Sequence, residues 1–145
     1  MVAEMNTKEY LMQYKTLRMK VARYQERIQM VGNTLKGLEM DGMPHGTTTG
    51  NPTESTAINL YLLQQQYGMA IADAEKVCGE ITADIERMKD EKLRTLLYDR
   101  YILFHSWSQI TEKMNQFRPW KEYEPKSVMG YLHKKALREL ERVRK

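Results

Sequence analysis

The sequence predicts an all-α protein: a long, coiled-coil-like antiparallel helical hairpin followed by a three-helix unit. Three observations predict it. Apolar residues recur at steps of three and four along two long stretches, a glycine- and threonine-rich segment separates those stretches, and three shorter amphipathic stretches follow. Proline is sparse, 4 in 145 residues, so little interrupts a helical reading.

From 7 to 38, Tyr10, Tyr14, Leu17, Val21, Tyr24, Ile28, Val31, Leu35 and Leu38 alternate at steps of four and three. That spacing is the seam of a coiled coil, and a tyrosine stripe on it reads as core rather than as a binding surface. Gly32 and Gly37 weaken the helix near its end. Residues 39–51 form a loop by composition. Their Gly-Thr-Thr-Thr-Gly piece lacks the Gly-Lys-Ser/Thr ending of a phosphate loop, and no apolar strand precedes it. Asn51, Pro52 and Glu54 then open a second helix as cap, first-turn proline and capping-box carboxylate. Its stripe runs Leu60, Leu63, Tyr67, Ala70, Ala74, Val77, Ile81, Ile85 and Met88, so the helix spans about 53 to 90.

Two stripes of similar length joined by a loop fold back as an antiparallel pair. Charge favours the pairing: residues 1–38 hold 7 basic and 3 acidic side chains, residues 53–91 hold 3 basic and 8 acidic. Exposed ion pairs contribute only a few tenths of a kcal/mol each, so the apolar seam supplies most of the stability. Two helices bury little. The hairpin therefore packs on the C-terminal unit, on a second copy of itself, or on both. Between 89 and 93 the apolar face shifts, which predicts a bend with little or no break. The domain boundary is accordingly set at 91/92, with an arm over 1–91 and a three-helix unit over 92–145.

In that last unit the first helix has Leu93, Leu96, Leu97 and Tyr101 on one side. The second starts at Ser106, with Gln109 at the capping-box spacing, and Trp107 and Ile110 hold it to the core. The third carries a buried stripe of Met129, Leu132, Ala136, Leu140 and Val143. Its other face shows Ser127, Tyr131, Lys134 and Arg138, an apolar back with a basic front, as a helix facing DNA requires. His133 lies beside the apolar stripe and reads as structural. Arg100 has two candidate partners, Asp99 and Glu112.

The net charge of +4 is unevenly placed. Residues 1–91 carry 10 Lys/Arg against 13 Asp/Glu, and residues 92–145 carry 13 against 6. The basic excess thus sits on the three-helix unit, where it attracts phosphate whatever the base sequence. The lone Cys78 forms no intramolecular disulfide and points to a reducing compartment. No apolar run approaches the ~20 residues of a membrane span, and no basic-then-apolar secretory leader is present. His45, His105 and Cys78 have no metal-ligand spacing. No nucleophile–base pair and no carboxylate pair for acid–base work is visible, so neither a metal, a cofactor nor an enzymatic activity is expected.

These residues resemble a sigma-factor region-4-type helix-turn-helix, and more closely the small phage and prophage late transcriptional regulators of the RinA/ArpU kind. The resemblance rests on the apolar pair Leu96-Leu97 followed by Arg100-Tyr101-Ile102, on Ser106-Trp107 with Ile110, and on Leu132-His133, Ala136-Leu137 and Leu140. It is specific over the last third of the chain and loose over the rest. The connection between the second and third helices, 116–125, departs from the family by exceeding the three or four residues of an ordinary turn. The resemblance implies a bacterial cytoplasmic, DNA-binding regulator that activates phage late genes. Its partners would be double-stranded DNA and host RNA polymerase, with self-association through the helical arm.

Groove contact falls to Lys126, Ser127, Tyr131 and Lys134, on the first turns of the third helix, where a recognition helix meets base edges. Gly130, costly inside a helix, either allows close backbone approach or marks tolerance. Lys135, Arg138 and Arg142 continue towards phosphate. Arg118, Trp120, Lys121 and Tyr123 interleave basic and aromatic groups in the long connection, as a backbone clamp or wing. Alternatively, Phe117 and Trp120 simply cap the core. Two other readings compete with the regulator: a coiled-coil interaction or scaffold protein, and a DNA-recognition subunit of phage packaging machinery.

Overall fold

The computed structural model describes residues 6–40, 52–116 and 123–145. The predicted loop from 41 on, the Asn51 cap, and Phe117, Arg118, Trp120 and Lys121 lie outside the described residues; positions 39 and 40, expected in that loop, instead continue α1. The described chain is helical, without strands: α1 Thr7–Met40, α2 Pro52–Glu86, α3 Glu91–Tyr101, α4 Trp107–Gln116, and a last helical segment, α5, over 125–144. The all-α prediction therefore holds. The chain forms two compact units, one of residues up to 16 with 75–145, the other of 17–74. This division falls inside the two long helices rather than at 91/92.

The first unit gathers the opening turns of α1, the last turns of α2, and α3 to α5 around one core. Leu11, Ile81, Ile85 and Met88 are buried with Leu93, Leu96, Leu97, Ile110, Val128 and Leu140. Each fully buried leucine or isoleucine contributes roughly 1.5–3 kcal/mol relative to exposure. The Asn6 side chain caps α1 by accepting from the Glu9 amide at 2.8 Å. Tyr10 donates its hydroxyl to Asp84. Burial, then that carboxylate, hold the Tyr10 phenol well above its usual range.

The corner between α2 and α3 differs from the expected continuous bend: α2 stops at Glu86 and α3 begins at Glu91. Asp90 causes the restart. Its carboxylate accepts from the Lys92 and Leu93 amides at 3.0 and 3.4 Å, the work of an N-cap. Glu139 of α5 accepts from the Lys89 and Asp90 amides at 3.0 and 3.2 Å, so the break leaves neither donor orphaned. Between α3 and α4, Phe104 adopts φ 60°, a left-handed conformation that costs a non-glycine residue about 1 kcal/mol or more. Its ring stacks on Tyr14 at 5.6 Å. The Ser106–Gln109 capping box forms in both directions: the Ser106 amide donates to Gln109 at 2.8 Å, and the Gln109 amide donates to Ser106 at 3.1 Å.

The second unit is thinner. Its fully buried apolar residues among those described are Val21, Ala70 and Ala74. Leu17, Tyr24, Ile28 and Val31 of α1, and Leu60, Leu63 and Tyr67 of α2, are half-buried. Arg27, Met30 and Val31 border a groove with Asn59, Leu62, Leu63 and Gln66, as the two sides of a hairpin do. No helix among the described residues is long and apolar enough to cross a membrane.

Candidate nucleic-acid interface

α5 is built as an apolar back and a basic front. Val128, Leu132, Ala136 and Leu140 are buried, while Lys126, Ser127, Tyr131, Lys134, Lys135 and Arg138 are exposed. Lys134, Arg138 and Arg142 follow one another at steps of four in the α-helical part, His133–Arg144. Like charges at that spacing destabilise a helix by roughly 0.2–0.5 kcal/mol per pair. Among the described residues, none of Lys126, Lys134, Lys135 and Arg138 makes an ion pair.

The segment is not one regular helix. A single turn, Pro125–Ser127, runs into a π-helical turn, Val128–Leu132, before the α-helix. The His133 amide reaches the carbonyls of Val128 and Gly130. A π turn holds about one residue more than an α turn, so the buried positions ahead of it shift by one. Val128 is buried and Met129 is 48% exposed, which corrects the expected inward placing of Met129. Tyr131 is 70% exposed. A Cβ on Gly130 would meet nothing within 4 Å, so packing within the chain does not require glycine there.

The back of α5 is pinned at three places. The Tyr101 hydroxyl and His133 Nε2 lie 2.6 Å apart, and the Trp107 ring meets the imidazole edge-on at 4.7 Å. Burial lowers the His133 pKa to about 4, with help from the positive charges of Lys8 and Arg100. The imidazole is therefore neutral at physiological pH and serves the core. Burial also raises the Tyr101 phenol above its usual value. Farther along, Glu139 holds the α2–α3 corner, and the Arg144 guanidinium sits 3.8 Å over the Tyr10 ring.

Neither expected partner of Arg100 is used. Its guanidinium donates to the His105 carbonyl at 3.2 Å and lies 4.4 Å over the Trp107 ring. Asp99, buried, is paired instead with Lys113 at 3.0 Å. Tyr123 is tied to α3 and α4: its backbone is bracketed by Asn115, its hydroxyl accepts from Lys92 at 3.0 Å, and the Lys92 ammonium lies 5.4 Å from its ring centre. Lys8 was not among the sequence candidates. It shares a shallow groove with Arg138, Leu137 and Glu141 and adds positive charge to that side of α5. Only the fold brings it there, because more than a hundred residues separate Lys8 from α5. No cluster of three or more His, Cys, Asp or Glu suited to a metal occurs among the described residues. No family model, curated protein or solved structure matches this chain.

Proposed function

We propose that the chain is a sequence-specific DNA-binding transcription regulator with a sigma-region-4-like helix-turn-helix, acting in a bacterial cytoplasm as an activator of phage late genes. One observation supports this reading above the others: the unpaired basic row of Lys126, Lys134, Lys135 and Arg138 along an α5 whose opposite side is core. Exposed cations without internal partners give up no ion pair on meeting phosphate, and each neutralised phosphate releases a counterion. In this reading the first turns of α5 enter the major groove, with Lys126, Ser127, Tyr131 and Lys134 at base edges. Lys135, Arg138, Arg142 and Lys8 hold phosphate. Contact with polymerase belongs to the helical arm.

The test is a gel shift of the full chain against late-promoter DNA of its own phage, with a scrambled duplex as control. Lys134→Glu combined with Arg138→Glu is expected to abolish binding while helicity by circular dichroism stays unchanged. For the parent chain, four to five phosphate contacts imply a log–log salt slope of about −4. Undiminished binding by the double variant would refute the assigned face. A scaffold reading is favoured by the exposed apolar surface of the arm. It predicts no duplex binding at all under the same conditions.

A further inference from the structure

In the second unit, α2 is uncharged on every side over a long stretch. Every residue from 55 to 72 lacks a charge, about five turns of helix. One face, with Leu60, Leu63, Tyr67 and Ala70, takes part in the hairpin. Away from it, Ile58 is 54% exposed, Tyr61 59% and Met69 69%, and Leu62, at the lip of the groove facing α1, is 52% exposed. At about 100° per residue these four fall on one stripe with Gln65 at its centre. A helix that is apolar on both faces is normally covered on both.

We propose that this stripe is a self-association surface, and that its occupant is the same stripe of a second copy, running antiparallel about a two-fold axis at Gln65. The choice of occupant follows from the side chains. Phosphate and charged partners find no counter-charge here. Identical faces place like beside like, and an uncharged stripe removes the repulsion that would otherwise oppose self-pairing. The register about Gln65 is self-complementary in shape. Leu62 faces the partner's Gly68, Ile58 the partner's Ala72, and Tyr61 the partner's Met69, a sulfur–aromatic contact. The two Gln65 amides, each able to donate and accept, meet on the axis; Gln65 now donates to Tyr61 of its own helix at 2.6 Å. A single polar residue inside an apolar seam fixes register in helical pairs. Gly68 offers room: a Cβ there would meet nothing within 4 Å, as at the other described glycines, so the position can receive a partner's side chain.

The proposal is independent of the DNA reading, and one set of measurements separates them. Sedimentation equilibrium of the full chain over a micromolar concentration series is expected to show a dimer. Leu62→Glu should raise the dissociation constant on the order of thirtyfold or more, the loss typical of a central interface anchor. Gly68→Met favours helix and leaves the monomer folded, yet fills the notch, and it should weaken the dimer similarly. Tyr61→Glu and Met69→Lys should each disrupt it alone. Together they should restore it to within about tenfold of the parent, because the new charges face each other only in this register. A parent chain that stays monomeric overturns the proposal and leaves the stripe to another protein. So does a double variant no better than its singles. A dimer that fails to bind duplex overturns only the regulator, and a monomer that binds duplex overturns only the pairing.

Discussion

The two units are cut from the same pair of helices and differ in how those helices are covered. In the first, Leu11 of α1 and Ile81 and Ile85 of α2 are sealed among three further helices. In the second, 17–40 and 52–74 carry an equally regular apolar seam, yet only Val21, Ala70 and Ala74 are fully buried among the described residues. A heptad pattern specifies which residues turn inward; the number of neighbouring elements decides how much water they exclude. Stability and specificity of the whole chain therefore concentrate in the first unit, and surface for association concentrates in the second.

The largest effect that would sharpen this contrast comes from truncating matched large side chains. Leu97→Ala, in the first core, is expected to cost roughly 2–5 kcal/mol in urea unfolding, whereas Met30→Ala on the arm should change stability by less than about 0.5 kcal/mol. Equal costs would show that the arm is buried in solution as deeply as the core. A smaller loss is expected at the capping box. Ser106→Ala removes the acceptor for the Gln109 amide and should cost about 0.5–2 kcal/mol, read as a lower unfolding midpoint. The smallest is a pH effect. The His133 pKa of about 4 lies below its ordinary 6.5, so the unfolded chain takes the proton first as pH falls. Its contribution is fully present above pH 6.5 and is lost as pH drops towards 4. His133→Gln should flatten the thermal midpoint across that window. A slope unchanged from the parent would place the proton uptake on another group.

Much of this was legible in the residues. The number of helices, the start of α1, the Ser106 capping box and the inward side of Leu132, Ala136 and Leu140 all follow from local spacing. What escaped was non-local or departed from a uniform helical repeat. The exchange of Met129 for Val128 needed a π turn, which a reading at 3.6 residues per turn excludes from the start. The stop at Glu86 hinged on Asp90 acting as a cap, with Glu139, far along the chain, serving the two amides beside it. Lys8 joined the basic side of α5 only through the docking of α1 in the first unit. For the candidate site, the exposed row from Lys126 to Arg138 was legible as the polar side of an amphipathic helix. The pinning of that row from behind was not.

That pinning has a mechanical consequence. Glu139, His133 and Arg144 grip α5 from three directions, at the α2–α3 corner, at Tyr101 and at Tyr10. Lys134, Lys135 and Arg138 thus stand on a backbone whose disorder was already surrendered when the chain folded. Whatever lands on it meets a ready-made backbone, and only the exposed lysine and arginine rotamers are left to order at the moment of docking. By the same rigidity, a lesion as remote as Leu11, at the opposite end of the chain, would be felt as a misaligned row.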